Sequence, residues 1–199
     1  MKNLRPLILT LILVLSSPIV YAAPVNYLIT PNKTELIFLG TSTLHAFHGD
    51  CKSFKGELQF TEKPQSAPDI SGRVVVDVNM MTTGNKTMDL KMFQMLQNDQ
   101  FPIIVYEIQK FIPTTKTLTE ESIPGKLIGQ LTIRKITLPI ECEVVVRKTV
   151  RGEYDLEGKS KLSLIEFQMK PPTVLKILNV HDPVGIIFTA TLEPNLQKP

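Results

Sequence analysis

Residues 70–108 read ISGRVVVDVNMMTTGNKTMDLKMFQMLQNDQFPIIVYEI, and the period of this stretch changes twice. Ile70, Val74, Val76, Val78 and Met80 fall on one face, with Arg73, Asp77 and Asn79 on the other. That is the period of two expected of a half-buried strand. Met88, Met92, Met95 and Leu96 then stand at i, i+4, i+7 and i+8, one stripe of a short amphipathic helix. Phe101-Pro102 predicts the end of the helix and the start of a second strand, in which Ile104, Tyr106 and Ile108 face away from Glu107 and Gln109. The order is strand, helical crossing, strand, and all three present apolar side chains to one interior.

The same alternation continues on both sides. Upstream, Val25 to Leu39 predicts one or two short strands broken at Pro31-Asn32-Lys33. Thr41 to His48 predicts another, punctuated by Gly40 and Gly49. Phe54 to Thr61 follows, with Phe54, Leu58 and Phe60 on one face, and a loop over 63–69. Downstream, 114–122 is a polar loop, and Leu127, Gly129, Leu131 and Ile133 form an alternating face. A tight turn at 134–137 leads into 140–150, where Ile140, Cys142, Val144 and Val146 share a face. Arg151-Gly152 turns again, Gly158 to Phe167 reads as a strand, and 169–178 as a loop around Pro171-Pro172. Val184 to Leu192 closes the series, with Ile186, Phe188, Ala190 and Leu192 aligned. About eight or nine strands joined by short connections make an antiparallel, all-β chain. Such a sheet packs on a second sheet or closes on itself. A closed barrel of about eight strands has room for its own side chains or for one slender ligand.

Residues 1–22 predict a signal peptide. Lys2 and Arg5 are a basic start, Leu7 to Leu15 an apolar run broken only by Thr10, and Val20-Tyr21-Ala22 a small-residue cleavage site. The run is about half the roughly 20 residues that span a bilayer. The expectation is therefore export to the periplasm, with residues 23–199 as a single domain and no transmembrane segment after cleavage. Removing Lys2 and Arg5 leaves 20 of the 22 basic residues against 19 acidic ones, a net charge of +1. That balance makes no charge-driven case for nucleic acid, which needs a clustered basic face, nor for an electrostatically held membrane partner. A homodimer stays open.

No arrangement for catalysis emerges. His45 and His48 are i and i+3, which places them on opposite faces of a strand and makes them poor joint metal ligands. Glu141 and Glu143 share a face opposite Cys142 and read as a solvated pair. Gly84-Asn85-Lys86-Thr87 lacks the glycine and Gly-Lys pair of a phosphate loop. No cofactor and no metal is expected. Cys51 and Cys142 either form a disulfide, which an oxidising compartment permits, or remain two small apolar thiols. Five of the six methionines after Met1 lie between Met80 and Met95. Flexible thioethers suit a helix that plugs the barrel end, and equally one that lines or gates a ligand opening.

Four segments in order carry a resemblance: residues 40–49 (GTSTLHAFHG) with Phe54-Lys55-Gly56; 89–106; 129–133 with Thr137-Leu138-Pro139; and Met169-Lys170-Pro171-Pro172 with 182–188. On these the chain resembles the YceI-like family of exported proteins. It departs from the family's charged "Arg/Lys-Asp-x-His-Leu" stretch, where Thr87 to Met92 matches only at Asp89. The resemblance implies a lipocalin-like antiparallel barrel of about eight strands, with one short internal helix and a polyisoprenoid chain inside. The expected function is a non-enzymatic carrier or store of an isoprenoid-type or similar long-chain amphiphilic lipid. The alternatives are an enzyme acting on a small hydrophobic molecule and an envelope assembly protein. The residues expected to face the ligand are Leu58, Phe60, Val74, Val76, Val78, Met92, Ile104, Tyr106, Leu131, Ile133, Val144 and Phe188.

Overall fold

The computed structural model describes residues 23–63, 66–114, 122–174 and 178–195. The expected signal peptide and most of the 114–122 loop lie outside these residues. The strands are β1 (Val25–Ile29), β2 (Thr34–Thr41), β3 (Ala46–Cys51), β4 (Phe54–Lys63), β5 (Ser66–Asp77), β6 (Met81–Thr82), β7 (Ile103–Pro113), β8 (Ser122–Ile133), β9 (Ile136–Lys148), β10 (Tyr154–Leu162), β11 (Thr173–Val174), β12 (Leu178–Asn179) and β13 (Val184–Pro194). The helix α1 spans Lys86–Leu96.

Three pairs of these strands act as single bent staves. A 3-10 turn at Pro31–Lys33 separates β1 from β2, yet β13 pairs with both, Tyr27 opposite Pro194 and Ile37 opposite Ile187. β1 pairs with β4 and β2 with β3; β4 pairs with β5 and β3 with β6. The staves β1/β2, β3/β4, β5/β6, β7, β8, β9, β10 and β13 therefore run as an antiparallel meander whose last stave pairs with its first. The result is a closed barrel of eight staves, a closure that removes sheet edges. Connections alternate between two ends. The β2–β3 turn, α1, the β8–β9 turn and the long β10–β13 connection stand at one end.

Several expected boundaries move, and glycine is the common reason. Gly40 and Gly49 lie inside β2 and β3 rather than at their ends. A Cβ at Gly40 would stand 2.2 Å from the Phe47 ring, and one at Gly49 2.1 Å from the Phe38 ring. Gly158 lies mid-strand in β10, where a Cβ would meet the Phe188 ring at 2.3 Å, and Gly125 lies equally close to Phe111. In each case a ring covers the glycine, which restores packing that the missing side chain would otherwise forfeit. Rings that fold down over glycines hug the wall and leave the axis of the barrel free.

Three further expectations are corrected. Met80 is not on a buried strand face: the backbone turns into a 3-10 segment at Val78–Met80, where the Asp77 carboxylate accepts from Asn79 N at 3.0 Å, and Met80 is left half exposed. The helix ends at Leu96, not at Phe101, because Gln97 takes the left-handed conformation (φ 53°) that closes a helix C-terminus. At its start the Asn85 side chain accepts from Thr87 N and Met88 N, so Asn85 is the N-cap. Within residues 169–178, expected in a loop, Thr173–Val174 form β11, which pairs with β12 in a two-stranded ribbon.

Candidate ligand-binding lumen

The inward faces do not fill the barrel. A cavity of about 250 Å³ runs along the axis, with an almost wholly apolar lining. A single water needs roughly 10–15 Å³ by a comparable measure, so the space far exceeds a packing defect. Around it the buried side chains fall into two clusters, one at each end.

The floor is aromatic. Tyr27, Phe60 and Tyr154 come from β1, β4 and β10, with ring centroids 4.3 to 5.3 Å apart. Phe60 stacks on Tyr154, and Tyr27 meets both rings edge-on. Their hydroxyls point outward: Tyr154 donates to Glu62 at 3.0 Å and Tyr27 to the Gly152 carbonyl at 3.2 Å. Glu62 also pairs with Lys148, whose hydrogen bond holds the carboxyl below its ordinary pKa. Leu192 and Ile70, both fully buried, complete the seal.

The mouth is roofed by thioethers. Met88, Met92, Met95 and Leu96 of α1 face the cavity, joined by Met81, Leu164 and Met169. The helix is latched at its start by Asp89, whose carboxylate accepts from Thr83 N and Thr83 Oγ1, both at 2.7 Å, and from Thr82 Oγ1 at 2.8 Å. Burial pushes the Asp89 pKa upward, but these hydrogen bonds outweigh it and leave the carboxyl below its ordinary value. At its other end Arg134 donates to the Met95 carbonyl at 3.5 Å.

Of the residues expected at the ligand, Leu58, Val74, Val76, Met92, Ile104, Tyr106, Leu131, Ile133 and Phe188 line this one cavity. Three do not. Phe60 is stacked into the floor, Val144 is packed in the floor-side cluster, and Val78 is buried in the mouth-side cluster beyond the 3-10 bend. Sequence reasoning missed Leu36, Phe38, Phe47, Cys51, Leu164 and Ile186, all of which line it. Leu36 and Phe38 alternate in β2, and Ile186 was already assigned to the face of Phe188; the signal was present. Cys51 and Leu164 sit beside a bend and a turn, where alternation carries no direction.

The thiols and the phenol in the lining are held neutral. Cys51 and Cys142 are free thiols, so the bridge left open by the sequence is not formed. Burial, followed by the Asp50 charge, pushes the Cys51 thiol up to about 12, and burial also raises Cys142. The Tyr106 hydroxyl donates to the Leu127 carbonyl at 3.1 Å, and burial raises its pKa. Thr34 Oγ1 is buried without a hydrogen-bond partner. Lys91 contributes at the rim and is otherwise exposed. The lumen can therefore hold an apolar chain, and neither of its thiols is activated as a nucleophile. His45, His48 and His181 are exposed, and among the described residues no three His, Cys, Asp or Glu side chains cluster. Glu141 and Glu143 pair outside the barrel with Lys126 and Lys159.

Comparison with curated protein sequences found no match. Among solved structures, BcnA of Burkholderia cenocepacia superposes with a TM-score of 0.67 at 16% identity, covering 83% of this chain and 99% of that one. A polyisoprenoid binding domain from Saccharophagus degradans, implicated in plant cell wall breakdown, superposes at 0.62 with 11% identity, covering 86% and 99%. The YceI protein of Campylobacter jejuni gives 0.51 at 18% identity, covering 72% and 83%. At these identities the likeness is one of fold. The family model of the YceI-like domain matches residues 27–192, from the floor tyrosine on β1 to the leucine that seals the floor on β13, and the chain belongs to the YceI-like family.

Proposed function

We propose that this protein is an exported, non-enzymatic binding protein that carries or stores an isoprenoid-type or similar long-chain amphiphilic lipid. The observation that carries the reading is the empty axis itself: a closed barrel, sealed at one end and roofed at the other by one helix, around about 250 Å³ of apolar space. Membership of the YceI-like family and the likeness to a polyisoprenoid binding domain support it. A buried methylene contributes about 0.8 kcal/mol, so a dozen carbons contribute roughly 10 kcal/mol. Lost freedom of the tail and of the whole ligand offsets several of these. The remainder gives micromolar or tighter binding with no charged contact. Affinity should then rise with prenyl length until the lumen is full, and change little with salt. Titration of delipidated, folded protein with prenyl alcohols of increasing length tests this, together with mass spectrometry of an organic extract of the native protein. Absence of saturable binding and of extracted lipid would overturn the reading. Export requires loss of residues 1–22; an intact mass from the periplasmic fraction that retains them would remove that part of the proposal.

A further inference from the structure

We propose that the helix end of the barrel docks onto an anionic phospholipid surface, so that the lumen opens against the bilayer. This rests on the lipid-binding reading of the same lumen and adds the partner from which the lipid is exchanged. Three of the most exposed large apolar side chains stand on three different connections at this end: Leu44 on the β2–β3 turn (72% exposed), Leu90 on α1 (62%) and Ile165 on the β10–β13 connection (63%). The fourth, Val150, stands at the other end, where Val25 and Ile112 are less exposed. The three connections are tied together. Ser42 bridges Val180, His181 N donates to the Thr41 carbonyl, and α1 touches β11.

Most of the described basic side chains on the connections stand at the same end as these crests. Among the described residues, the connections at the helix end carry five Lys or Arg against four Asp or Glu, and those at the floor end only Arg151 and Glu153. Two of the four acids are already satisfied internally: Asp89 by Thr82 and Thr83, and Asp182 by Ser163 Oγ at 2.7 Å and Leu164 N at 2.5 Å. Lys86, Lys91 and Lys170 are exposed and pair with no carboxylate among the described residues. Separate apolar crests flanked by lysines suit a fluid headgroup layer. Such a layer accepts isolated insertions without shape complementarity, while the lysines meet the anionic surface. Docking in this pose places the methionine-lined mouth against the acyl layer, and a lipid tail could pass between the two without crossing water.

The test is sedimentation of the mature protein with vesicles of phosphatidylethanolamine and phosphatidylglycerol, with phosphatidylcholine vesicles as the neutral control. Binding should be confined to the anionic vesicles and weaken strongly in high salt. The triple variant Leu44→Gln, Leu90→Gln, Ile165→Gln should lose about tenfold or more in affinity, whereas Val150→Gln should match wild type. Lys86→Gln and Lys170→Gln should each cost about fivefold. Equal sedimentation of wild type and the triple variant, or equal binding to neutral vesicles, would overturn the proposal. A prenyl alcohol titration in solution, without vesicles, separates it from the reading beneath it. Saturable binding without vesicle attachment leaves the carrier standing and removes the docking face; vesicle attachment without prenyl binding does the reverse.

Discussion

The two ends of the barrel are built from different materials. At the floor, three rings from three staves lock together, and their hydroxyls are tied to groups outside. Aromatic pairs have preferred geometries and each contributes about 0.5–1.5 kcal/mol beyond burial. At the mouth, one helix presents thioethers, which have no preferred geometry to defend and repack cheaply. Beyond the burial of Met92 and Leu96, the helix is held among the described residues by its cap, by Asp89 and by Arg134. One end is closed by rings of defined geometry, the other by side chains that repack cheaply.

The largest effect should come from breaking the floor. Phe60 is 1% exposed, and Phe60→Ala leaves a void among Tyr27, Tyr154 and Leu192. Phe→Ala in a packed core costs about 3–5 kcal/mol, or roughly 10 °C in the melting temperature of a domain this size. Thermal denaturation followed by circular dichroism measures it, and a variant that melts with wild type would show that the floor is not the rigid end. The next effect sits midway up the wall. Gly158→Ala places a methyl group 2.3 Å from the Phe188 ring and 2.9 Å from the Glu143 carbonyl, so the ring must swing toward the axis. The expected cost is about 1–3 kcal/mol of stability, with a loss of prenyl affinity larger than that of any outward-facing substitution on β10. Unchanged affinity in a folded variant would refute the idea that rings on glycines keep the axis free.

Met88→Ala sharpens the comparison from the other side. Met88 is half-buried at the cavity, so its truncation should cost about 1 kcal/mol or less in stability while weakening prenyl binding about fivefold. A stability loss as large as that at Phe60, with affinity intact, would reverse the assignment of the two ends. The smallest effect is at Glu62. Folding lowers its pKa, so the carboxylate adds stability above its unfolded value of about 4.3, and the contribution fades as pH falls through the lower folded value. The group is half exposed and solvent screens it, so Glu62→Gln should cost about 0.5–1 kcal/mol at neutral pH. That difference from wild type should disappear in strong acid, where both side chains are neutral. Urea denaturation at the two pH values reads it, and a difference that persists in acid would assign the effect to the Tyr154 hydrogen bond.

Much of the architecture is legible in the residues themselves. Period two in Val74-Val76, Ile104-Tyr106, Leu131-Ile133 and Ile186-Phe188 identifies inward faces, and the Met88-Met92-Met95 spacing identifies the helix, because side-chain direction follows directly from backbone period. Nine of the twelve residues expected at the ligand therefore line the cavity. Period does not report height along a stave. Phe60 and Leu58 share a face, but two residues of rise put one in the floor and the other on the lumen. Nor does it distinguish a glycine that ends a strand from one that lies beneath a ring, since the partner of Gly158 is Phe188, thirty residues away. Closure is the most distant fact of all. Tyr27 meets Pro194 across almost the whole described chain, and no local pattern specifies that register. Within a regular strand or helix, backbone period fixes which way a side chain faces; that those faces enclose space rather than one another depends on which strands pair and in what register, because these set the width of a closed barrel.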